Sequence, residues 1–269
     1  MSALESEMLA GKVAIVSGVG SGLGRSIALA LAKNGATIAL GARTESMLEK
    51  VSEEITALGG HAWWRRLDIA DAAGPGDFVG ACQEALGNVQ ILVNNGHHKG
   101  DFLPLPESNV DTWPEIFAVN TYGPMRLIQA VLPGMAAAGG GSIVNVNSGA
   151  AVNSNPGLGA YSASKSALAS LTRTLAGEIG ADNIRVNGVY VSSMVGDNVI
   201  SWGTTVAAEE GISFDEWFQR KQREEFALRR MPTTEDIADA VLFLVSDLAR
   251  SMTGQNISAN NGQWVVGPQ

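Results

Sequence analysis

At 269 residues, with 45% hydrophobic and 17% charged side chains, the chain is long enough to bury a sizeable core and too apolar for a disordered segment. Its formal net charge of −9 argues against nucleic acid or an anionic membrane surface as the main partner. The single cysteine, Cys82, excludes an internal disulfide and a cysteine zinc cluster and points to a reducing cytoplasm. The opening MSALESEMLAGK is acidic and poor in apolar residues, unlike a secretory leader or membrane anchor. No later apolar run reaches the roughly 18 residues of a membrane span.

In chain order, residues 1–10 read as a flexible tail and 11–269 as one domain. Short apolar runs recur as KVAIVSG (12–18), ATIALGA (36–42), HAWWRRLD (61–68), VQILVNNG (89–96), GSIVNVNS (141–148), IRVNGVYV (184–191) and QNISANNG (255–262). Between them lie stretches of helical period such as LGRSIALALAKNG and TESMLEKVSEEITALGG, each closing on a glycine. Alternating strand and helix predict a doubly wound, Rossmann-like parallel sheet of seven strands with helices on both faces. The segment 193–230, carrying Trp202, Phe214, Trp217 and Phe218, breaks the rhythm and reads as a substrate lid.

The first strand ends in SGVGSGLGR (17–25), a G-x-x-x-G-x-G pattern at Gly18, Gly22 and Gly24 with Ser21 and Leu23 between. Glycines let the backbone approach a pyrophosphate closely, and the helix N-terminus beyond them aims amides at the anion. Packing glycines in an ordinary strand–helix turn are the plainer alternative. At the tip of the second strand stands Arg43, where a carboxylate would select a free ribose hydroxyl; a guanidinium suits a 2′-phosphate, so NADP(H) is favoured over NAD(H). Asp68 and Ile69, after the third strand, fall where the adenine would lie, although Asp68 equally suits a cap.

GAYSASKSALASLTRTLAGEIG (159–180) places Tyr161 and Lys165 four apart, on one helix face. An ammonium about 4 Å from a phenol, at an effective dielectric of about 20, favours the phenolate by about 4 kcal/mol, roughly three pKa units. That is the shift a tyrosine needs to exchange a proton with an alcohol or ketone near neutrality.

These motifs, with NN at 94–95, VN at 119–120, Ser148 at a strand end and TGQ at 253–255, stand in the order and spacing of the short-chain dehydrogenase/reductase family, which the chain resembles from about 11 to 265. The resemblance implies that Tyr161 is the general acid/base, that Lys165 tunes it and holds the nicotinamide ribose, and that Ser148 binds the substrate oxygen. It further implies that Asn120 holds a helix distortion and a proton-relay water, and that Asn94 and Gly96 lie beside the cofactor. Tetramers or dimers are common in the family, and the small face of the Tyr161 helix (Ala163, Ala167, Ser170) is compatible with packing between subunits.

The chain departs from the family pattern at Gly96–His97 in place of Ala-Gly, at Val191–Ser192 with Gly196, and at Asn260–Asn261–Gly262. Adjacent His97 and His98 would point to opposite sides of an extended chain, which argues against a shared metal. They are expected instead, with Trp202, to shape the substrate pocket and to lend it pH sensitivity near 6.5. The expected substrate is a moderately sized, hydrophobic, cyclic or aromatic secondary alcohol or ketone. A non-redox lyase or epimerase, or a redox-sensing binding protein, are the alternatives on the same scaffold.

Overall fold

The computed structural model describes residues 8–264. Seven parallel strands, β1 (Val13–Ser17), β2 (Thr37–Ala42), β3 (Ala62–Arg66), β4 (Ile91–Asn94), β5 (Gly141–Ser148), β6 (Ile184–Val191) and β7 (Asn256–Ala259), form one sheet in the order β3-β2-β1-β4-β5-β6-β7. Every apolar run expected as a strand is one, with the ends trimmed by one to three residues except in β5 and β6.

The central strands β1 and β4 are apolar up to their last residue because helices cover both faces of the sheet. Successive residues of β1 divide between two cores. Ala14 and Val16 face Ile27, Leu31 and Val241, whereas Val13 and Ile15 face Phe78, Leu127 and Val131. One face carries α1 (Leu23–Lys33), α2 (Glu45–Ala57) and α9 (Thr234–Val245). The other carries α3 (Gly74–Leu86), α5 (Gly123–Ala137) and α6 (Gly159–Ile179). The glycines expected to stop α1 and α2 do so from left-handed backbone, at Gly35 (φ 93°) and Gly59 (φ 81°).

Of the tail expected over residues 1–10, the last three residues join the domain. Residues 1–7 lie outside the described residues, and Leu9 is fully buried, its amide donating to the Asn34 carbonyl at 2.8 Å. An apolar side chain at the lip of the first core is worth about 1.5–3 kcal/mol when buried, which draws this stretch into the domain.

From β1 the sheet grows outward through β2 to β3, and from β4 outward through β5 to β7. The winding therefore reverses between β1 and β4, and the carboxyl ends of these two strands part to leave a crevice. Its base is tight: Gly18, after β1, has φ 75°, and a Cβ there would overlap the backbone N and Cα of Gly96, after β4. Two helices, α7 (Asp197–Glu210) and α8 (Phe214–Glu225), fill most of 193–230, and α7 borders the same crevice.

Candidate active site

The crevice is a cleft of about 740 Å3 running from the Gly18–Gly24 turn to the segment after β6. At one end, Gly22 precedes α1 with no side-chain cap, so the first amides of an eleven-residue helix are open to the cleft. A Cβ at Gly22 would meet no protein atom within 4 Å, whereas one at Gly24 would come within 2.5 Å of the Gly18 carbonyl oxygen. Glycine is thus needed at 18 and 24 for packing inside the protein and at 22 to keep the cleft open. Arg43 borders this end, exposed and without an ion-pair partner among the described residues. Asp68 and Ile69 line the cleft as expected. One Asp68 carboxylate oxygen accepts from the Ala70 amide at 3.0 Å, closing its own turn rather than capping α3.

At the other end Ser148, Tyr161 and Lys165 converge. Tyr161 and Lys165 lie one turn apart on α6 and are buried, at 8% and 2% exposure. Lys165 Nζ donates to the Val146 carbonyl at 2.9 Å and stands 5.9 Å from the Tyr161 ring centroid. Burial pushes the Tyr161 phenol up, partly offset by the Ser148 hydroxyl, and pushes the Lys165 ammonium down to about 8. Desolvation thus opposes the charged form of both groups.

Asn120 does not line the cleft. It sits fully buried in a π-helical turn, Ala118–Tyr122, between the short helix α4 (Trp113–Phe117) and α5. Its carboxamide accepts from the His98 amide at 2.7 Å and donates to the His98 carbonyl at 2.8 Å and to Ser164 Oγ at 2.9 Å. The expected helix distortion is present, and Asn120 ties it to the loop after β4 and to α6. Asn94 is likewise internal, its amide donating to Asn145 Oδ1 at 2.9 Å. Placing Asn94 against the cofactor is corrected to Asn95, the next residue. Asn95 lines the cleft and donates to the Gly18 carbonyl at 2.7 Å, because alternation turns the two side chains to different sides.

The two histidines part company. His97 lines the cleft with Gly96 and is exposed to it. His98 is corrected out of the pocket: it is absent from the lining, and its Nδ1 accepts from the Gly100 amide at 2.9 Å. Desolvation and the Lys165 charge push the His97 imidazole down to about 4. That shift lies below the pH 6.5 expected for it and favours the neutral imidazole.

Trp202, about half exposed, lines the cleft. Trp217 is buried, packed edge-on to Trp202 at 5.2 Å and against Gly203, so it holds α8 to α7. Phe214 and Phe218 stack on each other at 5.6 Å. Among the residues that depart from the family pattern, Val191, Ser192 and Gly196 all border the cleft. Gln263 and Trp264 border it too. No periodicity or motif marks them, because they follow the last strand and reach the site only through the tertiary fold.

A family model described as enoyl-(acyl carrier protein) reductase matches residues 18–263. The chain belongs to the short-chain dehydrogenase/reductase family. It is 32% identical over 261 residues to the 2,5-dichloro-2,5-cyclohexadiene-1,4-diol dehydrogenase LinX of Sphingobium indicum, covering 96% of this chain and 98% of the relative. L-sorbose reductase from Gluconobacter frateurii, solved with NADPH and L-sorbose, superposes with a TM-score of 0.90 at 28% identity over 96% of this chain and 98% of that one. A 7α-hydroxysteroid dehydrogenase solved with NADH and 7-oxo glycochenodeoxycholic acid gives a TM-score of 0.85 at 30% identity over 98% of both chains. The protein is an NAD(P)-dependent oxidoreductase acting on CH–OH groups. No helix among the described residues is long and apolar enough to cross a membrane.

Proposed function

We propose that this enzyme interconverts a secondary alcohol and a ketone with NADP(H), on a moderately sized hydrophobic, cyclic or aromatic substrate. The observation that carries the reading is the single cleft joining an uncapped glycine cradle to Ser148, Tyr161 and Lys165. The cradle fits a dinucleotide: open amides at the N-terminus of α1 suit the pyrophosphate, Asp68 and Ile69 the adenine side, Asn95 and Gly96 the floor, and Lys165 the nicotinamide ribose. Arg43, unpaired at the tip of β2, supports NADP(H), since a 2′-phosphate can take its guanidinium in two parallel hydrogen bonds. When bound, the nicotinamide supplies or accepts the hydride at the carbinol carbon.

The chain's own side chains handle the oxygen. The Ser148 hydroxyl donates a hydrogen bond to the substrate oxygen and orients it toward Tyr161. In ketone reduction the Tyr161 phenol gives its proton to that oxygen, and in alcohol oxidation the phenolate takes it back. Burial holds the proton on Tyr161 in the unliganded protein, which suits the reductive direction. Asn120 acts as a positioning residue through His98 and α6. Trp202 supports the hydrophobic substrate class by offering an aromatic face to the cleft. We read segment 193–230 as the lid over that end. We further read the enzyme as a cytoplasmic homo-oligomer, a tetramer or dimer, packing through the accessible small face of α6 at Ala163, Ala167 and Ser170.

The test is a panel of cyclic and aromatic alcohols and ketones assayed in parallel with NADP(H) and NAD(H), on the natural sequence, Tyr161→Phe and Arg43→Ala. Turnover lost in Tyr161→Phe, and NADP(H) affinity reduced about tenfold or more in Arg43→Ala with NAD(H) affinity little changed, are expected. A preference of the natural sequence for NAD(H) overturns the cofactor assignment. Activity confined to small, highly charged sugars overturns the substrate class.

A further inference from the structure

Ser148 is followed by Gly149, and the space beside that glycine is taken. A Cβ at Gly149 would overlap Cζ2 and Cη2 of the Trp264 indole, so only glycine at 149 lets this ring lie against the backbone next to Ser148. Trp264 arrives from the far edge of the sheet, five residues after β7 ends at Ala259. Its neighbour Gln263 fastens the segment. Gln263 Oε1 accepts from the Ser193 amide at 3.2 Å, and Nε2 donates to Glu225 Oε2 at 2.8 Å. The other Glu225 oxygen holds Lys221 Nζ at 2.6 Å. Lys221 is almost fully buried, with its ammonium 4.9 Å from the Trp202 ring centroid and 5.7 Å from that of Trp217. One chain of contacts therefore links Trp264 and Trp202, both facing the cleft, through Gln263, Glu225 and Lys221.

We propose that Gln263 and Trp264 form a clasp that closes the substrate end of the cleft, with Trp264 as a specificity-determining wall. The inference rests on the reading that the Ser148 end receives the substrate. Three features carry it. The indole lies against the backbone of Gly149, one residue after the serine that meets the substrate oxygen, and lines the same cleft, so its bulk limits what can stand at that end. The ring is rigid and apolar, which selects flat cyclic skeletons over branched ones. The side chains that hold it make charge-assisted and cation–π contacts in a partly desolvated setting, so the wall keeps its place when substrate arrives. The substrate class that follows is a monocyclic alcohol or ketone. Bicyclic skeletons are excluded by the indole and admitted when it is removed.

The experiment compares cyclohexanone and 1-decalone as substrates for the natural sequence, Trp264→Ala, Trp264→Phe, Gln263→Ala and Gly149→Ala. The readout is the ratio of kcat/KM for the bicyclic ketone over the monocyclic one, which cancels any loss common to both. Trp264→Ala is expected to raise the ratio about tenfold or more. Trp264→Phe should stay near the starting ratio, and Gln263→Ala and Gly149→Ala, which loosen or displace the indole, should move it in the same direction as Trp264→Ala. Dinucleotide affinity, titrated in parallel, should stay within about twofold for the Trp264 and Gln263 variants. A ratio within twofold of the original in Trp264→Ala overturns the proposal. Equilibrium binding of the same two ketones, followed by thermal shift, separates it from the functional reading. If neither ketone is turned over although the dinucleotide binds, the alcohol–ketone assignment fails. In that event a size preference in binding that relaxes in Trp264→Ala still supports the wall, and one that does not relax refutes it.

Discussion

Gly18 and Gly22 belong to one glycine pattern, yet the structure assigns them different work, and two alanine substitutions separate the two roles. At Gly18 the backbone is left-handed (φ 75°), and the added methyl would overlap the backbone of Gly96, which has no rotamer through which to yield. Left-handed backbone costs a non-glycine residue about 1–2 kcal/mol. Overpacking of a tight contact costs about 1–3 kcal/mol. Gly18→Ala is therefore expected to lose about 2–5 kcal/mol of stability, a fall of roughly 5–15 °C in Tm for a domain of this size. At Gly22 the methyl meets no protein atom within 4 Å, and its stability cost is that of alanine for glycine at a helix N-cap, about 1 kcal/mol. The methyl does, however, stand at the mouth of the amide cradle. Displacing an anion from one charge-assisted hydrogen bond costs about 1.5–3 kcal/mol, or roughly ten- to a hundredfold in affinity. Calorimetric melting and fluorescence titration of reduced dinucleotide measure the two quantities on the same preparations. If Gly22→Ala binds the dinucleotide as tightly as the natural sequence, the α1 N-terminus is not the pyrophosphate site. If Gly18→Ala melts within 2 °C of it, the close approach of β1 and β4 is not as described.

Asn120→Ala leaves the amide and carbonyl of His98 unpaired in a buried setting, about 1–3 kcal/mol for each group, so Tm should fall and hydrogen exchange in the π-helical turn should accelerate. Unchanged exchange there would deny Asn120 its positioning role. His97, held near 4 when folded against about 6.5 when unfolded, binds fewer protons in the native state between those values. Stability should thus rise as pH climbs from about 4 to 6.5 and level off above. In melts across that range His97→Gln should flatten the slope, and a slope identical to the natural sequence would return the imidazole to ordinary solvation. Because burial raises the Tyr161 phenol, ketone reduction should hold its rate through neutral pH and fall only at alkaline pH, while alcohol oxidation climbs with pH. Reduction that speeds up, or oxidation that slows down, as pH becomes alkaline would dismiss Tyr161 as the proton donor.

Much of the fold is legible because its signals are local and repeated. Strands covered on both faces are mostly apolar, so β1 and β4 stand out as runs broken only at their last residue, and left-handed glycines mark the ends of α1 and α2. The buried Tyr161–Lys165 pair is legible because a four-residue spacing on a helix guarantees a shared face. What spacing does not carry is the environment of that face. The Val146 carbonyl accepts from the ammonium, and desolvation disfavours the charged form of both groups. The division of labour at Asn94–Asn95 depends on which of two adjacent side chains turns toward Gly18 as β4 ends, a matter of one residue's phase. His97 and His98 diverge for the same reason.

The part of the site least legible in the sequence is the substrate end. The cradle and the proton-handling residues come from turns and helices whose patterns are short-range. The substrate wall is assembled from Gly149, α7, α8 and the residues after β7, which meet only because β5, β6 and β7 lie side by side in the sheet. A glycine after Ser148 carries no evident meaning until an indole more than a hundred residues later is found to occupy its missing side chain. Buried Lys221 is similarly silent in sequence, an ordinary charged residue on a polar helix, until Trp202, Trp217 and Glu225 are seen around it. Burying its stem and pairing its ammonium costs little, since the aromatic faces and the carboxylate replace the water it loses. The same contacts hold Gln263, and through it Trp264, against the catalytic end of the cleft, which couples substrate shape to residues that no reaction chemistry requires.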